Sequence, residues 1–75
     1  MYEKLKVLRE EKGDKQETTA KLLNITQTTY SRYETGILEI PIQALIDLAI
    51  YYDTSIDYIV DLTDVAQPYK RKTRK

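Results

Sequence analysis

The 75-residue chain contains no cysteine and no histidine. Their absence excludes disulfides, thiolate nucleophiles, imidazole bases and almost every zinc site. No apolar run reaches the roughly 18 residues that a membrane-spanning helix needs. The N-terminal stretch MYEKLKVLRE is charged and periodic, unlike a signal peptide. Glycine and proline occur only twice each, so punctuation between elements is sparse. These absences favour a cytoplasmic protein without enzymatic activity, metal or other cofactor.

What is present fits one small domain. The apolar content of 41% can fill one core. A chain of this length buries only about 60–65% of the surface it exposes when unfolded, so few core positions are spare. Formal net charge is zero, but its distribution is uneven. Residues 1–33 carry seven basic and five acidic side chains. Residues 34–68 carry seven acids and no Lys or Arg, and residues 70–75 add five positive charges. A polyanionic partner would meet the first third and the tail and avoid the middle.

The apolar spacing is helical almost throughout and predicts five helices. The first spans about Tyr2 to Lys12, with Leu5, Leu8 and the Lys12 stem on one face and Gly13 as its stop. The second spans Gln16 to Leu23, with Ala20 and Leu23 inward and Asn24 as a left-handed turn former. The third runs from Gln27 to Thr35 between the N-cap Thr26 and Gly36. The fourth starts at Pro41 and reaches about Tyr52. The fifth starts after Thr54 or Ser55 and reaches about Leu62. Residues 63–75 have no periodicity and are expected to form a flexible basic tail, leaving residues 1–62 as the folded domain.

The third helix is built against propensity. Residues 24–36, NITQTTYSRYETG, hold four Thr, one Ser and one Asn. Ile25, Thr29, Tyr30, Tyr33 and Ile37 are expected to share an inner face. Gln27, Thr28, Ser31, Arg32 and Thr35 share the outer one, which is free of acid until Glu34. Short polar side chains without carboxylates suit a helix that enters the major groove. Gln can bond adenine bidentately, Arg reads guanine or grips phosphate, and Ser and Thr bond either or touch a thymine methyl.

Gln16-xxx-Ala20-xxx-Asn24 followed by TQTTYSRYETG closely resembles the phage-repressor/Cro-type helix-turn-helix family, also called the XRE family. LKVLREEKG, KQETTAKLL, SRYETG, IPIQALIDLA and SIDYIVDLTD each look like a family segment, in family order, over residues 4–62. The resemblance implies an all-α, five-helix lambda-repressor-like bundle whose third helix enters the major groove. By position, Gln27, Thr28 and Arg32 would face base edges. Gln16 would contact phosphate and buttress Gln27, and Ser31 and Thr35 would lie near the sugar-phosphate backbone. Thr26 joins the expected DNA-binding set, and Arg9 would pair with Glu34 to lock the third helix to the first. Asp14 and Thr19 depart from the family, which usually places aliphatic residues there. Either the second helix is shifted outward or the two side chains bond to nearby backbone. Asp61 also departs, because relatives often have Gly at that position.

The implied function is a sequence-specific double-stranded DNA-binding regulator of repressor type, from a bacterium, phage or mobile element. It would bind an inverted repeat as a homodimer through the fifth helix and its flanks, using Ile59, Val60, Leu62 and Val65. No small-molecule ligand is evident. Two rivals stand beside it. One is an antitoxin that also binds a toxin. The other is a protein-interaction module that has lost DNA binding, which the excess of twelve acidic over seven basic side chains in residues 1–68 would suit.

Other features read more plainly. Of the seven tyrosines, Tyr30 and Tyr33 are expected in the core or elbow. Tyr51, Tyr52 and Tyr58 either pack helix four on helix five or form a dimer patch. Asp57, Asp61 and Asp64 read as a solvated acidic face, since no calcium-loop glycine turn surrounds them. The basic tail favours loose phosphate contact over a membrane-surface or solubility role.

Overall fold

The computed structural model describes residues 2–70, and these contain five helices and no strand. They are α1 (Glu3–Lys12), α2 (Gln16–Leu22), α3 (Gln27–Thr35), α4 (Ile42–Tyr51) and α5 (Ile56–Ile59). α2 packs on α3, α4 packs on α5, and α1 touches both α3 and α5. No helix among the described residues is long and apolar enough to cross a membrane.

Each helix is closed by one residue in the left-handed region: Gly13, Asn24, Gly36, Asp53 and Asp61, with φ of 81°, 58°, 82°, 52° and 67°. The following backbone then turns back to bond a carbonyl near the helix end. Asp14 N–H donates to Arg9 O at 3.0 Å, Ile25 N–H to Ala20 O at 3.0 Å and Thr54 N–H to Ala49 O at 2.9 Å. These bonds satisfy carbonyls that a helix end leaves orphaned. Only two of the five positions are glycine. Asn and Asp serve at the others because their short side chains tolerate this conformation.

The core forms where these faces converge. Leu5, Tyr30 and Leu48 are fully buried, and Ala20, Tyr33, Leu45 and Ile59 join them. A small residue at Ala20 lets α2 and α3 approach closely. Ile37 is 72% exposed and not on the inner face, because the left-handed Gly36 ends the helical register just before it.

α5 is one turn, shorter than the apolar pattern through Leu62 implies. The chain leaves the helix at the left-handed Asp61, where Leu62 N–H donates to Asp57 O at 2.8 Å. Its N-cap is Ser55, whose hydroxyl accepts from Tyr58 N–H at 3.1 Å. α4 starts at Ile42, with Pro41 as the residue before its first turn.

The Asp14 and Thr19 side chains find partners at the C-terminal end of α4 and its cap rather than on backbone. Tyr51 OH donates to Asp14 Oδ2 at 2.7 Å, which pushes the Tyr51 phenol up to about 12. The Thr19 hydroxyl lies 3.1 Å from Tyr52 OH. Lys12 Nζ sits 4.7 Å from the Tyr51 ring centroid, and Lys4 Nζ 4.3 Å from that of Tyr58. The three tyrosines therefore tie α4 and α5 to the N-terminal half instead of only to each other.

The segment after α5 has no regular secondary structure over residues 63–70, yet it is bonded to the bundle. Lys4 Nζ donates to Thr63 O at 3.0 Å and pairs with Asp61 and Asp64 at 3.0 and 3.4 Å. Thr54 Oγ1 donates to Ala66 O at 2.6 Å, and Tyr69 OH to Asp57 Oδ2 at 2.8 Å. Residues 71–75 of the basic tail lie outside the described residues.

Candidate nucleic-acid interface

α3 begins at a working cap. Thr26 Oγ1 accepts from Thr29 N–H at 3.2 Å and donates to Thr29 Oγ1 at 3.0 Å. Its one hydroxyl proton is thus used locally, so what this corner offers a phosphate is backbone. The N–H groups of Gln27 and Thr28 find no acceptor among the described residues. The first turn of α3 carries no acid. Exposed amides at the positive end of a helix dipole, with no carboxylate beside them, favour an anion.

The helix sorts its side chains by depth. Tyr30, Tyr33 and Glu34 are buried, whereas Gln27, Thr28, Arg32 and Thr35 are exposed and Ser31 is half-buried. Gln16, from the start of α2, joins Gln27, Thr28, Ser31 and Arg32 around one open cleft of about 450 Å³. Five of the seven sequence-predicted residues thus meet there. Thr26 stands at the helix end as its cap. Thr35 lies off the cleft, lining a second depression with Glu3, Lys6, Val7 and Glu10 of α1, and its hydroxyl donates to Arg32 O at 3.3 Å.

Behind Gln16 and Thr35, at the second depression, sits a buried ion pair. Arg9 Nε donates to Glu34 Oε2 at 2.7 Å and Nη2 to Oε1 at 3.3 Å, so the guanidinium grips both carboxylate oxygens. The Arg9 and Glu34 side chains are 10% and 4% exposed. Arg9 Nη1 also donates to Asp14 O at 3.0 Å, which fastens the α1–α2 turn. Burial alone would raise the Glu34 carboxyl, but hydrogen bonding to Arg9 and Gln16 beside the Tyr30 phenol holds it below its ordinary range. Burial, then the adjacent Glu34, pushes the Tyr30 phenol above the usual tyrosine range. Its hydroxyl is buried without a hydrogen-bond partner among the described residues.

Gln16 is part of this network. Its Nε2 donates to Glu34 Oε1 at 3.2 Å, so the amide is hung from the ion pair. That contact was not legible in the sequence, because a Gln and a Glu 18 positions apart carry no local signal. The unused amides of α3 were equally silent, being backbone. The arrangement offers donors, acceptors and one cation on a rigid convex helix. Among the described residues no group of three or more His, Cys, Asp or Glu side chains is placed to hold a metal ion.

The pattern that defines the helix-turn-helix family matches residues 5–59, which includes all five helices but for the first two residues of α1. The chain belongs to the helix-turn-helix family. This helix-turn-helix chain is also similar to YobD of Bacillus subtilis (strain 168), described as an uncharacterized HTH-type transcriptional regulator. The two are 36% identical over 77 residues, covering 100% of this chain and 69% of the relative. No solved structure matched. Within the helix-turn-helix unit, α2 is the first helix, α3 the second, and the left-handed Asn24 lies in the turn between them.

Proposed function

We propose that this protein represses transcription by binding a specific double-stranded DNA sequence as a homodimer in the cytoplasm, with α3 in the major groove. The coarse class, a DNA-binding transcriptional regulator, is supported by the family match and by the description of the relative. The observation that carries the finer reading is the cleft of Gln16, Gln27, Thr28, Ser31 and Arg32 on an outer face with no exposed acid. Gln27, Thr28 and Arg32 read base edges, while Ser31 and Thr35 lie against the sugar-phosphate backbone. The free amides of Gln27 and Thr28 hold a phosphate at the α3 N-terminus. Gln16, hung from Glu34, braces the cleft from α2. The Arg9–Glu34 pair keeps α3 at a fixed angle to α1, so that α3 docks as a rigid body.

Fluorescence anisotropy of labelled duplex DNA across a salt series tests this reading. Log affinity should fall linearly with log salt, with a slope near −0.9 for each phosphate neutralised. Binding that ignores salt, or no binding at any salt, would leave the bundle as a protein-interaction module.

A further inference from the structure

Two adjacent hydroxyls precede α5 and serve different partners. Ser55 caps the helix, accepting from Tyr58 N–H at 3.1 Å. Thr54, only 2% exposed, donates to Ala66 O at 2.6 Å. Three residues further along both segments, Tyr69 OH donates to Asp57 Oδ2 at 2.8 Å. Each of these two bonds spans 12 positions. The constant offset means that residues 66–69 run alongside residues 54–57 in the same direction. The chain therefore leaves α5 at the left-handed Asp61, doubles back and returns to the start of the helix it has just left.

The return starts from a fixed point. Lys4 Nζ donates to Thr63 O at 3.0 Å, pairs with Asp61 and Asp64, and lies 4.3 Å from the Tyr58 ring centroid. The segment is thus held at residues 63, 66 and 69, once every third residue, by α1, by Thr54 and by α5. Between its anchors it lies over apolar surface. Pro68 and Tyr69 face Ile46, Ala49, Ile50 and Ile56 across a groove of about 350 Å³. Ala49 is buried and Pro68 half-buried, while Ile46 and Ile50 stay 37% and 57% exposed. α5 gains from this cover, because a four-residue helix is too short to hold itself by its own bonds. Ile59 belongs to the core and Val60 is half-buried. Of the four residues expected to form an apolar α5 surface, only Leu62 and Val65 remain open.

We propose that residues 63–70 are a clasp that closes the groove between α4 and α5, latched at Ala66 by the buried Thr54 hydroxyl and seated on the groove by Pro68. The clasp extends the folded domain from residue 62 to residue 70. It is also the part of the domain that opens first. Ala66, Gln67 and Tyr69 are exposed, and segments with few buried contacts open below the free energy of global unfolding. Opening uncovers Ala49 and Ile56 beside Ile46 and Ile50 while every helix stays formed. The device is independent of the DNA-binding reading, since no clasp residue lines the cleft at α3.

Backbone amide relaxation of the full chain by NMR tests this. In the wild type, order parameters over residues 63–69 should approach the helical value of about 0.85, and in an open clasp they should fall below about 0.6. Thr54→Val removes the latch at nearly constant volume. It should loosen residues 65–69, leave the five helices ordered, and raise the fluorescence of a dye that binds exposed apolar surface. Its Tm should fall by roughly 4–8 °C, the shift expected for one hydrogen bond in a domain of this size. Thr54→Ser keeps the hydroxyl and should keep the clasp closed. Pro68→Gly alters the clasp alone and should open it with the same dye signal, so the proposal is read even if Thr54→Val fails to fold. Flexible residues 63–69 in the wild type would overturn it. So would a clasp that stays ordered in Pro68→Gly, a Thr54→Ser clasp as loose as that of Thr54→Val, or an open clasp without added dye fluorescence.

Discussion

The Thr19 hydroxyl and the Tyr52 hydroxyl lie 3.1 Å apart, joining the first helix of the helix-turn-helix unit to the end of α4. Thr19 is fully buried. A hydroxyl there is tolerable only because the tyrosine reaches it. Beside it, Tyr51 binds Asp14, and the two tyrosine rings meet edge to face with centroids 5.0 Å apart. The last residue of α4 and its C-cap thus satisfy two polar groups around α2.

Tyr52→Phe strands the buried Thr19 hydroxyl and should cost about 1–3 kcal/mol of stability. Thr19→Val should cost less, because Tyr52 is only half-buried and can turn to water. The double variant should recover most of the loss. Urea unfolding of all four proteins closes the cycle, and additive losses would show that the two groups are not coupled.

Arg9→Met leaves the Glu34 carboxylate buried without its cation and should destabilise the domain by about 3–5 kcal/mol. The same pair sets an acid limit. Glu34 is held below its ordinary value of 4.5 in the folded chain, so the unfolded chain takes up this proton first as pH falls. Its stabilising contribution is complete above about pH 4.5 and is lost as pH drops through the lower, folded value. Thermal melts across this range should show Tm falling toward acid in the wild type and a flatter profile in Glu34→Gln.

Asn24 holds φ at 58° in the turn between α2 and α3. Asn24→Ala should cost roughly 1–2 kcal/mol, and Asn24→Gly should be nearly neutral. Equal melting temperatures for the two variants would deny that this turn depends on the left-handed conformation.

Gln27→Ala and Arg32→Ala remove exposed side chains that no core contact needs. Each should weaken binding to a specific duplex by about 1–3 kcal/mol while Tm stays nearly constant. Full binding by both variants would move the reading surface away from α3.

Where one helix carries its own signal, the sequence was readable. Tyr30 and Tyr33 fall inward and Gln27, Thr28 and Arg32 outward from the spacing of α3 alone. Gly13 and Gly36 announce their stops. What was hidden depends on distant partners. Tyr51 and Tyr52 find Asp14 and Thr19 at separations of 37 and 33 residues. The apolar residues after Ile59 continue a helical pattern that Asp61 breaks, held by Lys4 from the other end of the chain. Asp at that turn gives a weaker stop signal than Gly. Ile37 keeps the helical spacing of the inner face, but a left-handed residue before it redirects the chain. The exposed side of α4 was invisible because isoleucine reads as core wherever it stands.

The most direct measurement is selection of bound sequences from random duplex DNA, with affinity of the enriched sequences followed against salt. The account predicts an inverted repeat with half-sites about one helical turn apart, bound with an affinity that falls steeply as salt rises. Recovery of no motif, with weak binding that salt does not change, would contradict it.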